Sequence, residues 1–583
     1  MIKKIFWRWA VLFSLLPATT ATFTAGAAPG IELKFDHNHT YAEVVSYLKL
    51  VTETYPKITK LHVIGKSFQG KDLLVLEITN QANGNALEKP GYWIDGNLHA
   101  GEVMGAEVCL KTIDSLVTQY GKDPLTTSLV DTRTTYIMPK FNPDGSDHFL
   151  TKPDGMRSSV RPHDTDRDGM LDEDPPEDLD GDGYITQMRM KDGQGSMKTS
   201  PEDPRLLVAC KEDEQGEWRV YSEGTDNDRD GRYNEDGVGG LDINRNWPAQ
   251  WQQEHVQNGA GIYPFSEPET RAVAEFLLSH RNITGAINHH MSGNFVYRPP
   301  CNRHFNPVTG EEEKFATEDE SVYQVFGNKY SEIINKQPVR VVYGRGNPPT
   351  YGAIWGVLIE WAYDHYGVFS WVPEMGSLNH LCDYDKDGNV TPKEQLRWND
   401  TEMGGKTFVG WKPYNHPQLG KVEIGGFISK IYLPAFKGYT SLMCYPHPVF
   451  DDFLAKHAKW NLYLISMSPL VRITDVRVTP GEAGYFKVEA SIQNQGYLPT
   501  NVTQQAVRNQ TARTVKIAIS LTGATLESGE EEFDIGHLPG DRSLPVTVEW
   551  MVKASGKKAP EAVVRAVSEK GGTDTKRLTL SSK

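Results

Sequence analysis

The sequence predicts an α/β domain followed by an all-β domain, and three observations support this. At 583 residues, the chain exceeds the roughly 250–300 residues at which a single hydrophobic core stops growing. From residue 91 to about 465, short apolar strands alternate with helices, as in an α/β domain built around one sheet. From Leu470 onward, half-buried strand patterns are separated by Gly, Pro and Asn turns. We therefore expect an α/β domain over 34–468 and an immunoglobulin-type β-sandwich over 470–583.

The first thirty residues have the composition of a secretory signal. Lys3, Lys4 and Arg8 precede an apolar run over 9–16, and small residues follow at 25–27. The apolar run is too short to span a bilayer, so we expect a cleaved signal over 1–27 rather than a membrane anchor. The prediction is a secreted or periplasmic protein.

The charge balance excludes two classes of partner. The formal net charge is −15 at pH 7, from 61 basic and 76 acidic residues. An acidic chain repels nucleic acid and anionic membrane surfaces, so we expect neither as a partner. Many of the aspartates lie close together in short loops, where they are suited to binding cations.

A histidine and a glutamate stand three residues apart on a predicted strand-to-helix loop. Residues 91–96 form a short buried strand pattern, and residues 103–120 have helical periodicity. His99 and Glu102 lie on the loop between them, where α/β enzymes usually place their chemistry. Both side chains can bind one metal ion if the backbone at Ala100 and Gly101 is tightly curved. Two protein ligands are too few for a zinc site, so a third ligand must come from downstream.

Several further motifs follow this loop in a fixed order: Asn142-Pro143-Asp144-Gly145, Asp242-Ile243-Asn244-Arg245-Asn246-Trp247, Pro264-Phe265-Ser266-Glu267-Pro268-Glu269, His290-Met291-Ser292-Gly293-Asn294 and Val372-Pro373-Glu374-Met375-Gly376. In this order and spacing the chain resembles the zinc carboxypeptidases, also called funnelins, over roughly residues 40 to 465. The resemblance implies a mixed central sheet flanked by helices. It also implies one catalytic Zn²⁺ bound by His99, Glu102 and His290.

The third zinc ligand has two candidates in the sequence. His289 and His290 are adjacent, and on a strand they point to opposite faces, so only one can reach the ion. The resemblance selects His290, because the residues after it follow the family pattern. Two imidazoles and one carboxylate leave one coordination position open, which is typical of a catalytic zinc site.

The resemblance also assigns supporting roles near the metal. It places Asp242 behind His99, where a carboxylate would accept the second ring N–H and fix the tautomer of the histidine. It makes Glu374 the general base. Glu374 follows the apolar strand pattern over 368–372, and such a partly dry position favours a raised pKa for its carboxyl group.

Substrate recognition is assigned to residues that can bind a free C-terminal carboxylate. The guanidinium of Arg245 can bind both carboxylate oxygens, and Asn244 can donate a further hydrogen bond. Arg157 is expected to stabilise the oxyanion formed during attack, with Arg161 as the alternative. Tyr351 resembles the tyrosine that closes over the substrate in this family, with Tyr343 as the alternative.

The side-chain pocket of the substrate has one sequence marker. Ile359 falls at the position where the family sets the polarity of this pocket. An apolar residue there favours apolar or aromatic C-terminal residues.

Acidic loops predict a second type of cation site. The segment 383–394 fits the twelve-residue calcium loop, with Gly388 at the sixth place. Its candidate Ca²⁺ ligands are Asp383, Asp385, Asp387, Asn389 and Glu394. Shorter Asp-x-Asp-x-Asp-Gly motifs begin at Asp164, Asp178 and Asp226, within an acidic insertion over about 151–240. We expect calcium to stiffen these loops rather than take part in catalysis.

The leading hypothesis is an exported zinc metallocarboxypeptidase that hydrolyses the C-terminal peptide bond of peptides or proteins. One alternative keeps the zinc chemistry but cleaves cell-wall peptides as an amidopeptidase. An alternative of a different class is a calcium-stabilised binding protein without activity, and the intact set of His99, Glu102, His290 and Glu374 argues against it.

Overall fold

The computed structural model describes residues 33–581, except 212, 294, 306–308, 335–338, 342–353, 443–449, 542–543 and 556–558. The predicted signal over 1–27 lies outside the described residues. The helices are, in chain order, α1 (Tyr41–Thr54), α2 (Met104–Gln119), α3 (Pro124–Thr132), α4 (Pro143–Thr151), α5 (Pro268–Ser279), α6 (Thr317–Ile333), α7 (Leu358–Asp364), α8 (Leu378–Cys382), α9 (Pro392–Thr401), α10 (Phe450–Ser466) and α11 (Gln504–Arg508). Within the described residues, no helix combines the length and apolar character that crossing a bilayer requires.

The strands of the first 300 residues are β1 (Thr59–Lys66), β2 (Asp72–Ile78), β3 (Gly91–Gly96), β4 (Thr134–Met138), β5 (Gln187–Lys191), β6 (Met197–Thr199), β7 (Leu207–Ala209), β8 (Trp218–Ser222), β9 (Ile283–Met291) and β10 (Phe295–Arg298). Those up to residue 441 are β11 (Val339–Val341), β12 (Phe369–Met375), β13 (Phe408–His416), β14 (Gly420–Phe427), β15 (Lys430–Leu433) and β16 (Gly438–Ser441). The C-terminal strands are β17 (Val471–Pro480), β18 (Tyr485–Asn494), β19 (Lys516–Thr522), β20 (Ala524–Ser528), β21 (Glu532–Asp534), β22 (Val546–Ala554), β23 (Glu561–Ser568) and β24 (Gly572–Thr579).

An eight-stranded mixed sheet forms the centre of the α/β part, in the order β1-β2-β4-β3-β9-β12-β10-β11. Its inner strands β4, β3, β9 and β12 run parallel, and every residue of β3 and β9 is buried. Such continuous burial is expected of parallel strands that are covered on both faces. The α/β fold with a mixed sheet is therefore confirmed. The carboxyl ends of β3, β9 and β12 meet at one edge, which is where the candidate site lies.

A second, antiparallel sheet was not predicted. It has six strands in the order β13-β14-β5-β8-β6-β7, and it joins the insertion over 151–240 to β13 and β14. Met188, Val422 and Ile424 form its buried core. The sequence patterns in the insertion indicated acidic loops, because β6 and β7 have only three residues each and show no periodicity.

The described residues of the C-terminal part, within 470–579, form strands apart from two short turns of helix. Two antiparallel four-stranded sheets, β17-β18-β22-β20 and β21-β19-β23-β24, share one hydrophobic core around Trp550. The alternating pattern was clear in β17, β18, β19 and β22, and all four strands are present. The five-residue helix α11 interrupts the strands where the sequence pattern indicated none.

Buried polar contacts join the all-β part to the α/β part. The Lys570 ammonium is buried and donates to the Ile283 carbonyl at 2.7 Å, and the Thr503 hydroxyl donates to the Gly367 carbonyl at 2.9 Å. The backbone N–H of Gln504 donates to the Asp319 carboxylate at 2.9 Å. Because buried polar groups must be satisfied, these contacts fix one part against the other.

Candidate active site and metal centre

The loop between β3 and α2 is tightly curved, as the histidine-glutamate spacing requires. Asn97 has a positive φ of 59° and is fully buried. Its amide donates to the carbonyls of His99 and Ala100, both at 2.9 Å, and its carbonyl oxygen accepts from the Lys140 ammonium at 2.9 Å. Sequence reasoning missed Asn97 and Lys140. The available signal was an asparagine directly after a buried strand, a residue type that tolerates the left-handed conformation.

Three ligating groups converge on this loop. The carboxylate of Glu102 lies 2.9 Å from His99 Nδ1 through Oε1 and 2.8 Å from His290 Nδ1 through Oε2. The two Nδ1 atoms are 3.0 Å apart. Both histidines are buried, and the Glu102 side chain is 14% exposed. The structure thus brings together the three predicted zinc ligands.

The outer ring nitrogens indicate which tautomer each histidine adopts. His99 Nε2 lies 3.1 Å from Asp242 Oδ1, and His290 Nε2 contacts the side-chain oxygen of Asn288. Hydrogens on both Nε2 atoms leave two Nδ1 lone pairs facing each other and a carboxylate. Two imidazole lone pairs and one carboxylate that converge in this way form a donor set that fits a zinc ion. Asn288 was missed by sequence reasoning, although it lies on the same strand face as His290, two residues earlier.

Asp242 is the N-cap of the short helical turn Ile243–Arg245 and contacts more than the histidine. Its Oδ2 accepts from Arg157 Nε at 3.1 Å and lies 3.9 Å from Arg245 Nη1. Burial alone would raise the pKa of Asp242, but the charges of His99, Arg245 and Arg157 hold it well below its usual value. Asp242 is therefore an anion that links the candidate ligand His99 to two arginines.

Glu374 lies beside the three ligands, near the end of β12. It pairs with His290 in the parallel register between β12 and β9. Burial and the neighbouring Glu102 raise the pKa of Glu374 well above its usual value, although Arg157 and Arg245 oppose the rise. A carboxyl group with a raised pKa binds a proton more readily than an ordinary glutamate, which suits a general base.

One cavity of about 440 Å³ collects the predicted catalytic and binding residues. Its polar wall contains His99, Glu102, Arg157, Asn244, Arg245, His290 and Glu374. The Asn244 carbonyl oxygen accepts from Leu358 N–H at 2.9 Å, which leaves its amide group turned towards the site, 3.4 Å from His290 Nε2. Gly356 packs so closely on the Arg245 carbonyl that a Cβ would come within 2.2 Å of the oxygen. This close contact holds the turn that carries Arg245 in place.

The opposite wall of the cavity is apolar. Ile359 is buried there together with Tyr297, Cys301, Val357 and Val372, and the partly buried Ile354 packs against them. An apolar surface therefore surrounds Ile359 in the cavity. Tyr351 and its alternative Tyr343 lie outside the described residues.

Of the three alternatives that the sequence left open, His289 and Arg161 are described, and both lie away from the cavity. His289 Nε2 is 3.1 Å from the Asn461 amide on α10, on the other face of β9. Arg161 forms an ion pair with Glu267 at 3.0 Å and stacks on the Phe68 ring. By contrast, Arg157 is half exposed within the cavity, 3.4 Å from Glu102.

The acidic loop over 383–394 lies between α8 and α9. Asp383 Oδ2 accepts from Gly388 N–H at 3.0 Å, and the Glu394 carboxylate accepts from Tyr384 N–H and Thr391 N–H, both at 2.9 Å. Glu394 therefore closes the loop and caps α9 at the same time. The exposed side chains of Asp385 and Asp387 also accept from backbone N–H groups within the loop.

Comparisons with known proteins identify the family of the longer part of the chain. The family model for zinc carboxypeptidase matches residues 44–180 and 212–403, which together are more than half of the chain. The unmatched residues between these ranges hold β5, β6 and β7 of the insertion. Residues 470–579 match a family described as a domain of unknown function.

Individual relatives match over shorter stretches. Carboxypeptidase M of Mus musculus is 38% identical over 129 residues, which are 22% of this chain and 29% of that protein. Carboxypeptidase D of Homo sapiens is 34% identical over 122 residues, 21% of this chain and 9% of that protein. The matches thus span less than a third of either relative. The solved structure of thrombin activatable fibrinolysis inhibitor matches 60% of this chain and 71% of its own at 20% identity, with a TM-score of 0.38. From the family model, the chain belongs to the zinc carboxypeptidase family.

Proposed function

We propose that this protein is an exported zinc metallocarboxypeptidase that removes the C-terminal residue of peptides or proteins. The observation that carries the proposal is the convergence of His99 Nδ1, His290 Nδ1 and the Glu102 carboxylate in one cavity with Glu374 and two arginines. His99, Glu102 and His290 would hold the ion. Zinc in such a site supplies Lewis acidity, which polarises the scissile carbonyl and makes a bound water more acidic.

Residues of the chain carry out proton transfer, stabilise the oxyanion and orient the groups involved. Glu374 takes a proton from the attacking water and then passes it to the nitrogen of the leaving amine as the C–N bond breaks. The Arg157 guanidinium donates to the carbonyl oxygen while that oxygen gains negative charge. Asp242 keeps His99 in the Nε2–H tautomer and orients Arg157.

Recognition of the chain end falls to two further residues of the polar wall. Arg245 binds the terminal carboxylate through two N–H groups, and the amide group of Asn244, which is turned towards the site, donates to the same carboxylate. The apolar wall around Ile359 receives the last side chain of the substrate, which favours apolar and aromatic residues. Tyr351 is proposed to close over the bound substrate.

Four further assignments complete the proposal. Residues 1–27 are a secretory signal, residues 34–468 are the catalytic domain, and residues 470–583 are an immunoglobulin-type sandwich. The 383–394 loop is proposed to bind calcium through Asp383, Asp385, Asp387, Asn389 and Glu394. Its support is the buried Asp383 Oδ1, which has no hydrogen-bond partner among the described residues.

The test is digestion of a peptide library followed by mass spectrometry, with and without a zinc chelator. We expect stepwise shortening from the C-terminus that stops when the ion is removed and resumes when zinc is added back. Peptides with an amidated C-terminus should resist digestion, because Arg245 would lose its carboxylate partner.

Two outcomes would contradict the proposal. Cleavage restricted to cell-wall peptides would favour the amidopeptidase. Binding of peptides without any cleavage, by a zinc-loaded protein, would favour the non-catalytic alternative.

A further inference from the structure

Two segments of the insertion have closely similar sequences. Residues 164–174 read DTDRDGMLDED, and residues 226–236 read DNDRDGRYNED. Their backbones also agree: Arg167 and Arg229 both have a φ of 73°. In each segment the first aspartate accepts from the N–H three residues later at 2.6 Å and from the N–H five residues later at 3.1 Å. The two segments are therefore copies of one loop, which we call the paired loops.

The paired loops face each other in a reciprocal arrangement. Asp174 and Asp236, the last residues of the two segments, form an antiparallel bridge. Asn234 N–H donates to Asp174 Oδ2 at 2.7 Å, and at the equivalent place Asp172 N–H donates to Asp236 Oδ2 at 3.3 Å. Each loop thus completes the backbone hydrogen bonding of the other.

Carboxylates from the paired loops form two clusters. Oxygens of Asp166, Glu173 and Asp236 lie within 4.8 Å of one another, and so do oxygens of Asp166, Asp230 and Glu235. Asp166 belongs to both clusters, and each cluster takes groups from both loops. Neither loop alone supplies either set.

These clusters contain buried carboxylate oxygens that no donor satisfies. Asp236 is 0% exposed, its carboxylate belongs to the first cluster, and its Oδ1 accepts from no donor among the described residues. Both carboxylate oxygens of Glu173 and of Glu235 are likewise inaccessible and accept from no donor in the described part of the chain. Buried charges in proteins are paired or coordinate metals, so these oxygens indicate a missing cation.

The local positive charge is too small to replace such a cation. The guanidinium of Arg232 lies 3.5 Å from Asp166 Oδ2 and 3.4 Å from Asp230 Oδ2, but its side chain is 64% exposed. One screened charge faces five carboxylates across the two clusters. Donor sets made only of oxygen, with flexible spacing, suit Ca²⁺ rather than a metal that prefers nitrogen or sulfur.

The paired loops also hold together the two chain segments at which the insertion begins and ends. These segments, residues 157–163 and 238–242, are called the neck, and they lie next to active-site residues in the sequence. Asp172 Oδ1 accepts from His163 N–H and from Gly239 N–H, both at 3.0 Å. This one carboxylate therefore links the two segments of the neck. Towards the cavity, Ser159 N–H donates to the Leu241 carbonyl at 2.9 Å. The neck therefore leads directly to Arg157 on one side and Asp242 on the other.

We propose that the paired loops bind two calcium ions, one in each carboxylate cluster, with Asp166 shared between them. The ions hold the two ends of the insertion together at its neck. This site is separate from the 383–394 loop, and its ion binding does not depend on the proposed hydrolysis.

The test is isothermal titration of the full chain with CaCl₂ at pH 7.5, after removal of calcium and reloading with zinc. Asp166→Asn and Asp236→Asn each remove one negative charge while keeping the shape of the side chain. Asp385→Asn makes the same change in the separate 383–394 loop and is the matched control. We expect the wild type to bind two more ions than Asp166→Asn. Asp385→Asn should retain both ions of the paired loops.

A second measurement keeps the proposal testable if a variant fails to fold. Hydrogen exchange of residues 157–163 and 238–242 in the wild type should slow on addition of CaCl₂, because the ions cross-link the neck. Equal stoichiometry in the wild type and Asp166→Asn would overturn the proposal. So would the absence of calcium binding by the folded wild type at millimolar CaCl₂, which would leave a proton shared between the carboxyl groups.

Discussion

Glu374 and His290 are direct neighbours on the parallel strands β12 and β9. The proposed base and a proposed zinc ligand are therefore held by sheet hydrogen bonds rather than by a loop. Groups positioned on rigid elements keep their geometry more closely than groups on loops. This pairing places a carboxyl group of raised pKa next to the metal centre.

Replacement of this carboxyl group should stop catalysis without removing the ion. For Glu374→Gln we expect kcat/KM to fall about 10²–10⁴-fold, because the amide has similar shape but cannot accept the proton of water. The zinc content should stay at the wild-type level, since Glu374 is not a ligand. Glu549→Gln, on an exposed position of β22, is the matched control. Full activity of Glu374→Gln would exclude its role as the base.

The strand and the helix beside this site were predictable from sequence, whereas the pairing register between distant strands was not. The strand Gly91–Gly96 and the helix Met104–Gln119 were both indicated by their hydrophobic patterns, which are local properties. The pairing of Glu374 with His290 depends on the order of strands that lie 84 residues apart in the chain. The contact of Arg157 with Asp242 likewise depends on the fold of the whole insertion between them.

Sequence alternation also could not decide which of the adjacent histidines, His289 or His290, faces the metal site. Alternation along β9 requires His289 and His290 to face opposite sides, but it does not say which side holds the metal. That depends on α10, whose Asn461 contacts His289 from far along the chain. Asn288 and Asn97 were missed because their roles are hydrogen bonds to other site residues, which leave no spacing pattern.

Loss of the Arg157 guanidinium should affect turnover rather than binding. Arg157 is anchored by Asp242 and is 53% exposed within the cavity, where it can meet the developing oxyanion. We expect Arg157→Ala to lower kcat about 10²–10³-fold, as removal of an oxyanion donor does. Steady-state kinetics on a peptide substrate separate kcat from KM. A raised KM with unchanged kcat would assign Arg157 to substrate binding instead.

Asp242→Asn should weaken metal binding. An asparagine cannot provide the negative charge that His99 Nε2–H contacts at 3.1 Å, so the imidazole becomes a poorer ligand. We expect the zinc dissociation constant to rise about 10–100-fold, measured by competition with a fluorescent chelator. Asp475→Asn, at an exposed position of β17, serves as the control. An unchanged dissociation constant would show that Asp242 does not support the ligand.

The apolar wall of the cavity should set the preference for the last residue of the substrate. We expect the wild type to cleave peptides ending in Phe or Leu faster than those ending in Lys, because Ile359 and its neighbours cannot pair with a charge. Ile359→Asp should shift the ratio of the two kcat/KM values towards Lys by at least about tenfold. Ile359→Val retains an apolar wall and is the control. A wild-type preference for Lys would contradict the assignment of this pocket.

His304 should make stability depend on pH through a cluster behind the apolar wall. It lies 2.5 Å from Glu360 and 3.4 Å from Asp364, and it is 22% exposed. Burial would lower the pKa of His304, but the hydrogen bond to Glu360 and the charges of Asp364 and Glu313 raise it to about 9, against 6.5 for a free histidine.

A folded-state pKa above the unfolded value means that the folded protein binds the proton more tightly. The stabilisation is therefore complete below about pH 6.5 and is lost as the pH rises through about 9. Urea unfolding at pH 6 and pH 9.5 should show a larger fall in the free energy of unfolding for the wild type than for His304→Gln. Equal falls in the two proteins would show that the proton on His304 does not stabilise the fold.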